Sequence, residues 1–170
     1  MAPPPEPPRP EHDVSLTFSP LHLLLPVVEV TGEMRLHKLM SIAAIAGLGS
    51  VSIDNAQPDL PSHATVYELG GHYRFYPVGS FEHGMQLGVE VLYLHVSAET
   101  ATLSGFGSGL AVGPFAGYKI IASGGFTFDA QLGVEFLVVK AEAQDNGGQT
   151  ATATQKATIP LLNLNIGWSF

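Results

Sequence analysis

Apolar and polar positions alternate strictly along the last stretch of the chain. Leu162, Leu164, Ile166, Trp168 and Phe170 share one face, and Asn163, Asn165, Gly167 and Ser169 share the other. A period of two predicts a β-strand with one apolar and one polar face. The pattern recurs upstream. Val14–Ser19 alternates and is stopped by Pro20, whereas 21–26 is apolar and reads either as a continuation of that strand or as a tight connection. Val28, Val30, Met34 and Leu36 then oppose Glu29, Thr31, Glu33 and Arg35. Leu39–Ile53 is rich in alanine, but Gly47 and Gly49 beside Val51 and Ile53 favour strand over helix.

Further strands place Tyr67, Leu69, Tyr73 and Phe75 opposite Glu68, His72, Arg74 and Tyr76, then Met85 to Tyr93 opposite Gln86, Gly88 and Glu90. Leu110 to Ile120 opposes Gly113, Gly117 and Lys119, and Phe126 to Val138 opposes Thr127, Asp129, Gln131, Gly133 and Glu135. Eight antiparallel strands result. Short turns near 36–38, 78–82 and 122–125 alternate with long polar loops at 54–63, 98–108 and 143–155. An even strand count returns both termini to the short-turn side.

Composition sharpens this picture. Of the 170 residues 45% are hydrophobic and only 13% charged, about half the share usual in soluble domains. No apolar run is long enough for a transmembrane helix. A chain that is apolar without a helical span fits a transmembrane β-barrel, in which every second residue can be polar. The polar face is mostly Gly, Ala, Asn, Gln and Thr, with Glu29, Glu33, Arg35, Glu68, Arg74, Glu90, Lys119, Asp129 and Glu135 spaced along it. Small residues and opposite charges suit a narrow interior in which charges are paired. Aromatics collect toward strand ends (Phe18, Phe75, Tyr93, Tyr118, Phe126, Phe128, Trp168, Phe170), as membrane-interface girdles do.

The net charge of −8 excludes a nucleic-acid partner of the usual kind, and the absence of cysteine excludes disulfides and thiolate chemistry. The seven histidines show no metal-ligand spacing, so no metal and no cofactor is expected. Residues 1–12 form a proline-rich tail, read as disordered, and 13–170 form the barrel. The tail lacks the apolar core of a secretory signal, so export implies a leader already removed.

These features resemble the small eight-stranded OmpA/OmpX-like outer-membrane barrels of Gram-negative bacteria. The terminal alternation Leu162, Leu164, Ile166, Trp168 and Phe170 is similar to their C-terminal insertion signal. The resemblance implies an all-β, eight-stranded antiparallel up-and-down transmembrane barrel in the bacterial cell outer membrane. Loops would be extracellular and both termini periplasmic. It implies a monomer with a structural or surface-interaction role, in contact with outer-membrane lipid and lipopolysaccharide and assembled by the barrel-assembly machinery. No large pore is expected, because eight strands enclose little more than their own side chains.

Two other readings stay open. His95 and Ser97 share a face and Glu99 continues the parity, a base, a nucleophile and an orienting carboxylate in principle. The pair is similar to the His-x-Ser of outer-membrane lipid A deacylases, although Ala98 stands where that family has Asn. A soluble lipocalin-like barrel with an apolar ligand cavity would also alternate, with its apolar face turned inward.

Overall fold

The computed structural model describes residues 11–24, 27–52, 63–99, 103–145 and 150–170. They form eight antiparallel strands, each paired with its neighbours in chain order: β1 (Val14–Phe18), β2 (Val27–His37), β3 (Met40–Ser52), β4 (His63–Gly79), β5 (His83–Glu99), β6 (Leu103–Ile121), β7 (Phe126–Asp145) and β8 (Thr150–Ser169). The sheet closes on itself, since β1 also pairs with β8 from Ser15 opposite Ser169 to Phe18 opposite Ile166. Closure gives both outer strands a partner and covers the edge of β8 as far as Ile166.

The first strand stops at Phe18, and residues 21–24 do not continue it. Pro20 has no N–H to give a ladder, and the chain makes one 3₁₀ turn at His22–Leu24 before β2 begins at Val27. The strands facing the expected long loops run further than their hydropathy suggests. Glu99 pairs with Ser104, and Gln144 with Thr150, so most of 98–108 and 143–155 is sheet. Residues 152–160 of β8 are exposed on both faces. A ribbon exposed on both sides carries no apolar–polar alternation to read, and the β-branched threonines sustain it. The expected loop at 54–63 lies outside the described residues apart from His63, which opens β4.

The short turns fall on one side. At the last of them Gly125 has φ of +88°, a left-handed conformation natural to glycine, and its N–H bonds the carbonyl of Ala122 at 2.8 Å. The first residues after the tail are anchored at this rim. Asp13 N–H donates to the Phe170 carbonyl at 2.8 Å, and buried His12 bonds Glu82 through both its backbone N–H and Nδ1.

Pleating sends side chains alternately in and out. The outer face carries Leu16, Val30, Leu69, Leu87, Leu132 and many other exposed apolar residues, while Glu33, Arg74, Lys119, Asp129 and Asn165 are buried inside. Two apolar clusters join them. Ile45, Leu92 and Ala111 form one cluster, and Tyr76, Phe81 and Ile121 form another near the short turns.

Interior space is tight where glycine allows a large neighbour on the adjoining strand, as Gly88 on β5 does for Phe115, its partner on β6. A Cβ on Gly88 would lie 2.3 Å from the Phe115 ring, whereas one on Gly32 would meet nothing within 4 Å. Gly88→Val is therefore expected to destabilise the fold by about 1–3 kcal/mol through overpacking. Gly32→Ala should leave the denaturant midpoint nearly unchanged, and the two midpoints compared on one preparation check the difference.

Candidate functional site in the barrel interior

Strand parity turns charges from β2, β4, β6 and β7 inward, and register and tilt bring them to one height. The carboxylate of Glu33 accepts from Arg74 Nη1 at 2.9 Å and Lys119 Nζ at 2.8 Å through Oε2. Its Oε1 accepts from Ser41 Oγ at 2.5 Å and Tyr76 OH at 2.8 Å. Arg74 Nη1 also donates to Asp129 Oδ2 at 2.6 Å, and Gln86 and Gln131 donate to the same carboxylate. Two carboxylates face two cations, and each is saturated by neutral donors. That is the condition under which buried charge is tolerated. Lys119 Nζ sits 3.5 Å from the centre of the Phe81 ring, a cation–π contact sealing the layer from below.

Arg74 also reaches His72, with Nη2 2.8 Å from Nδ1. A guanidinium only donates, so Nδ1 accepts and the ring proton of a neutral His72 lies on Nε2, which bonds Glu90. Phe115 stacks beside this pair at 4.9 Å from the His72 ring.

Beyond that layer the balance changes. Glu29, Glu68, Glu90 and Glu135 line one cavity of about 420 Å³, together with His22, Asn163 and several leucines. His22 Nδ1 is 3.5 Å from Glu29, and Asn163 Nδ2 is 3.4 Å from it. No Lys or Arg lies among the residues lining this cavity.

Of the charged residues expected inside, Arg35 does not join the network. It sits at the end of β2, at the rim, and pairs with the exposed carboxylates of Glu11 and Asp13 at 3.0 and 2.5 Å. Its parity is that of Glu33, but a strand end faces water, and the chain entering β1 supplies nearer partners. The other expected positions all lie inside or line the cavity. His72, Tyr76, Gln86 and Ser41 complete the network and were absent from the expected charge set. Their inward parity was visible for His72, Tyr76 and Gln86, but neutral groups give no charge signal to single them out.

His95 and Ser97 lie on β5 opposite Tyr67 and Thr65. The nearest aromatic neighbour of the imidazole is Tyr67, with ring centres 6.4 Å apart. Among the described residues no hydrogen bond joins His95 to Ser97, and the side chain of Glu99 lies outside them. The described His, Asp and Glu residues form no group spaced to hold a metal. On the terminal strand Trp168 packs edge-on against Phe126, and Leu162, Trp168 and Phe170 are exposed on the outer face, with Leu164 and Ile166 partly covered there.

Comparison with protein-family models, with curated proteins and with solved structures finds no match for this chain.

Arg74→Met leaves Glu33 and Asp129 buried with half their pairing gone and is expected to cost about 3–5 kcal/mol of stability. Arg35→Ala, which breaks an exposed pair at the rim, should cost less than about 1 kcal/mol. Denaturant unfolding of both variants beside the parent measures the contrast.

Proposed function

We propose that this chain is an integral outer-membrane β-barrel whose role is structural or surface-interacting rather than enzymatic. One observation carries the reading: the faces of the sheet are partitioned in the reverse sense to a soluble barrel. Lys119, Arg74 and Asp129 are almost wholly buried, while Leu69, Leu132, Phe136 and Phe170 stand in the open. A water-soluble protein rarely exposes an apolar patch of more than a few hundred Å², and here the apolar surface runs round every strand. Lipid is the solvent that favours such a surface, and pairing in a closed sheet satisfies the backbone groups of most of the wall, the upper part of β8 excepted.

The dimensions agree with that role. On β7 the outer face is apolar from Phe126 to Val138 and then meets Lys140, which lies opposite Thr154, close to Lys156. At about 3.3 Å per residue and a tilt of about 45°, that stretch rises roughly 28 Å, close to the roughly 25 Å apolar band of such barrels. Phe75, Tyr118, Phe126, Phe128 and Trp168 stand near the short turns, and Tyr67, Tyr93, Phe106 and Phe136 toward the other end. Two aromatic belts at that separation fit the two water–lipid boundaries.

In this reading the short turns are periplasmic, and the polar hairpin ends of β5–β6 and β7–β8 project from the cell, where lipopolysaccharide or a surface partner would meet them. The Glu33–Arg74–Lys119–Asp129 layer plugs the lumen, so the protein conducts no large solute. A monomer delivered by the barrel-assembly machinery through its last strand completes the account.

The test is fractionation and electrophoresis of the protein exported in a Gram-negative host. The expected outcome is an outer-membrane band that resists carbonate extraction and shifts in mobility when heated in detergent. A chain that is monodisperse in water without detergent and shows no heat shift would overturn the reading.

A further inference from the structure

The wall of the barrel is incomplete along one seam. β8 continues from Ile166 to Thr150, but β1 ends opposite Ile166, so above that point β8 is paired only with β7 among the described residues. Pro160 sits in this one-sided stretch, where a strand can spare an N–H. What bridges the seam is a side-chain bond, Ser19 Oγ to Asn163 Oδ1 at 3.0 Å, and the 3₁₀ turn with its leucines.

Behind this seam lies the acidic cavity. Its inner wall carries Leu92, Leu94 and Leu161, and its outer lip carries Leu24, 79% exposed, and Leu162, 60% exposed. The cavity therefore communicates with the apolar outer surface of the barrel through an apolar mouth. Its volume of about 420 Å³ lies within the range of small-molecule sites. Toward the short turns its Glu90 bonds His72, which accepts from Arg74, so the cavity adjoins the saturated layer.

Two independent features describe what would fill it. Four carboxylates converge without a Lys or Arg among the lining residues, in contrast to the two-against-two balance one layer below. In addition, Glu135 is more than nine-tenths buried, its carboxyl group meets that of Glu90, and its Oε1 has no hydrogen-bond partner. The Oε2 of Glu68 is also buried and unpartnered. A buried carboxylate oxygen without a donor is costly, and a donor or positive charge brought from outside removes that cost. The apolar walls select against a bare hydrated ion and in favour of a ligand with a hydrocarbon body.

We propose that this cavity is a binding site for amphipathic organic cations, molecules with an apolar body and one ammonium-type charge, entering laterally through the β1–β8 seam. Glu135 and Glu68 receive the charge, Leu92, Leu94 and Leu161 hold the body, and Leu24 and Leu162 form the entrance. Lateral entry rests on the membrane reading above, while binding itself does not.

The experiment uses the full chain purified in a neutral detergent and titrated calorimetrically with tetraphenylphosphonium, against tetraphenylborate as an anion of the same shape. Saturable binding of the cation and none of the anion is expected. Glu135→Gln should weaken the cation by about tenfold, the loss of one carboxylate's Coulomb attraction, and Glu68→Gln with Glu135→Gln should weaken it further. Leu162→Trp, at the mouth and outside the charge cluster, should slow association while the heat-shifted gel mobility stays that of the parent. Equal binding of both ions, no saturable cation binding, or cation affinity unchanged in folded Glu135→Gln would each overturn the proposal. A membrane-inserted barrel that binds no cation defeats this inference alone, whereas a water-soluble chain defeats the membrane reading and leaves the titration to stand on its own.

Discussion

Glu33 is the residue on which the interior of this barrel depends. Its two oxygens accept hydrogen bonds from Ser41 on β3, Arg74 and Tyr76 on β4, and Lys119 on β6, while Arg74 carries the link on to Asp129 of β7. Strands far apart in the closed sheet are thereby tied across the lumen. The arrangement is expensive to break and of little net gain to make, because charges removed from water repay their desolvation only when every partner is present. Its consequence is architectural. A lumen filled largely by polar and charged groups leaves most of the apolar residues on the outer face.

Much of this architecture was legible in the sequence because a half-buried strand writes its two faces into the chain. Phe126, Phe128, Leu132, Val134, Phe136 and Val138 alternate with Thr127, Asp129, Gln131, Gly133 and Glu135, and the structure turns the first set out and the second in. The eight antiparallel strands followed from that periodicity and from the turns between them. The pattern failed where its cause is missing. From 152 to 160 both faces of β8 are exposed, so a true strand has the composition of a loop. At the rim, Arg35 keeps the parity of an interior residue but is captured by Glu11 and Asp13.

The candidate site was less legible than the fold. Parity identified the charged side chains of the lumen but not how they divide into a balanced layer and an acidic one. That division depends on which residues of different strands reach the same height, and height follows from register and strand tilt rather than from spacing along one strand. The seam was also hidden. Pro20 signalled a strand end, yet only the pairing of β8 beyond Ile166 reveals how much of the wall lacks a paired strand. A single proline thus links backbone chemistry to an opening beside four carboxylates, and the proposed ligand chemistry follows from that conjunction.

The central claim is that the outer apolar face lies in lipid, and the chain carries its own reporter for it. Trp168 is the sole tryptophan, half exposed on that face beside Phe126. The decisive measurement is its fluorescence after folding into vesicles of lipids brominated at successive acyl positions, compared with quenching by aqueous iodide. The account predicts strong quenching by bromines near the headgroup end of the chains and little by iodide. Trp168 fluorescence that is untouched by brominated lipid and fully quenched by iodide would contradict it.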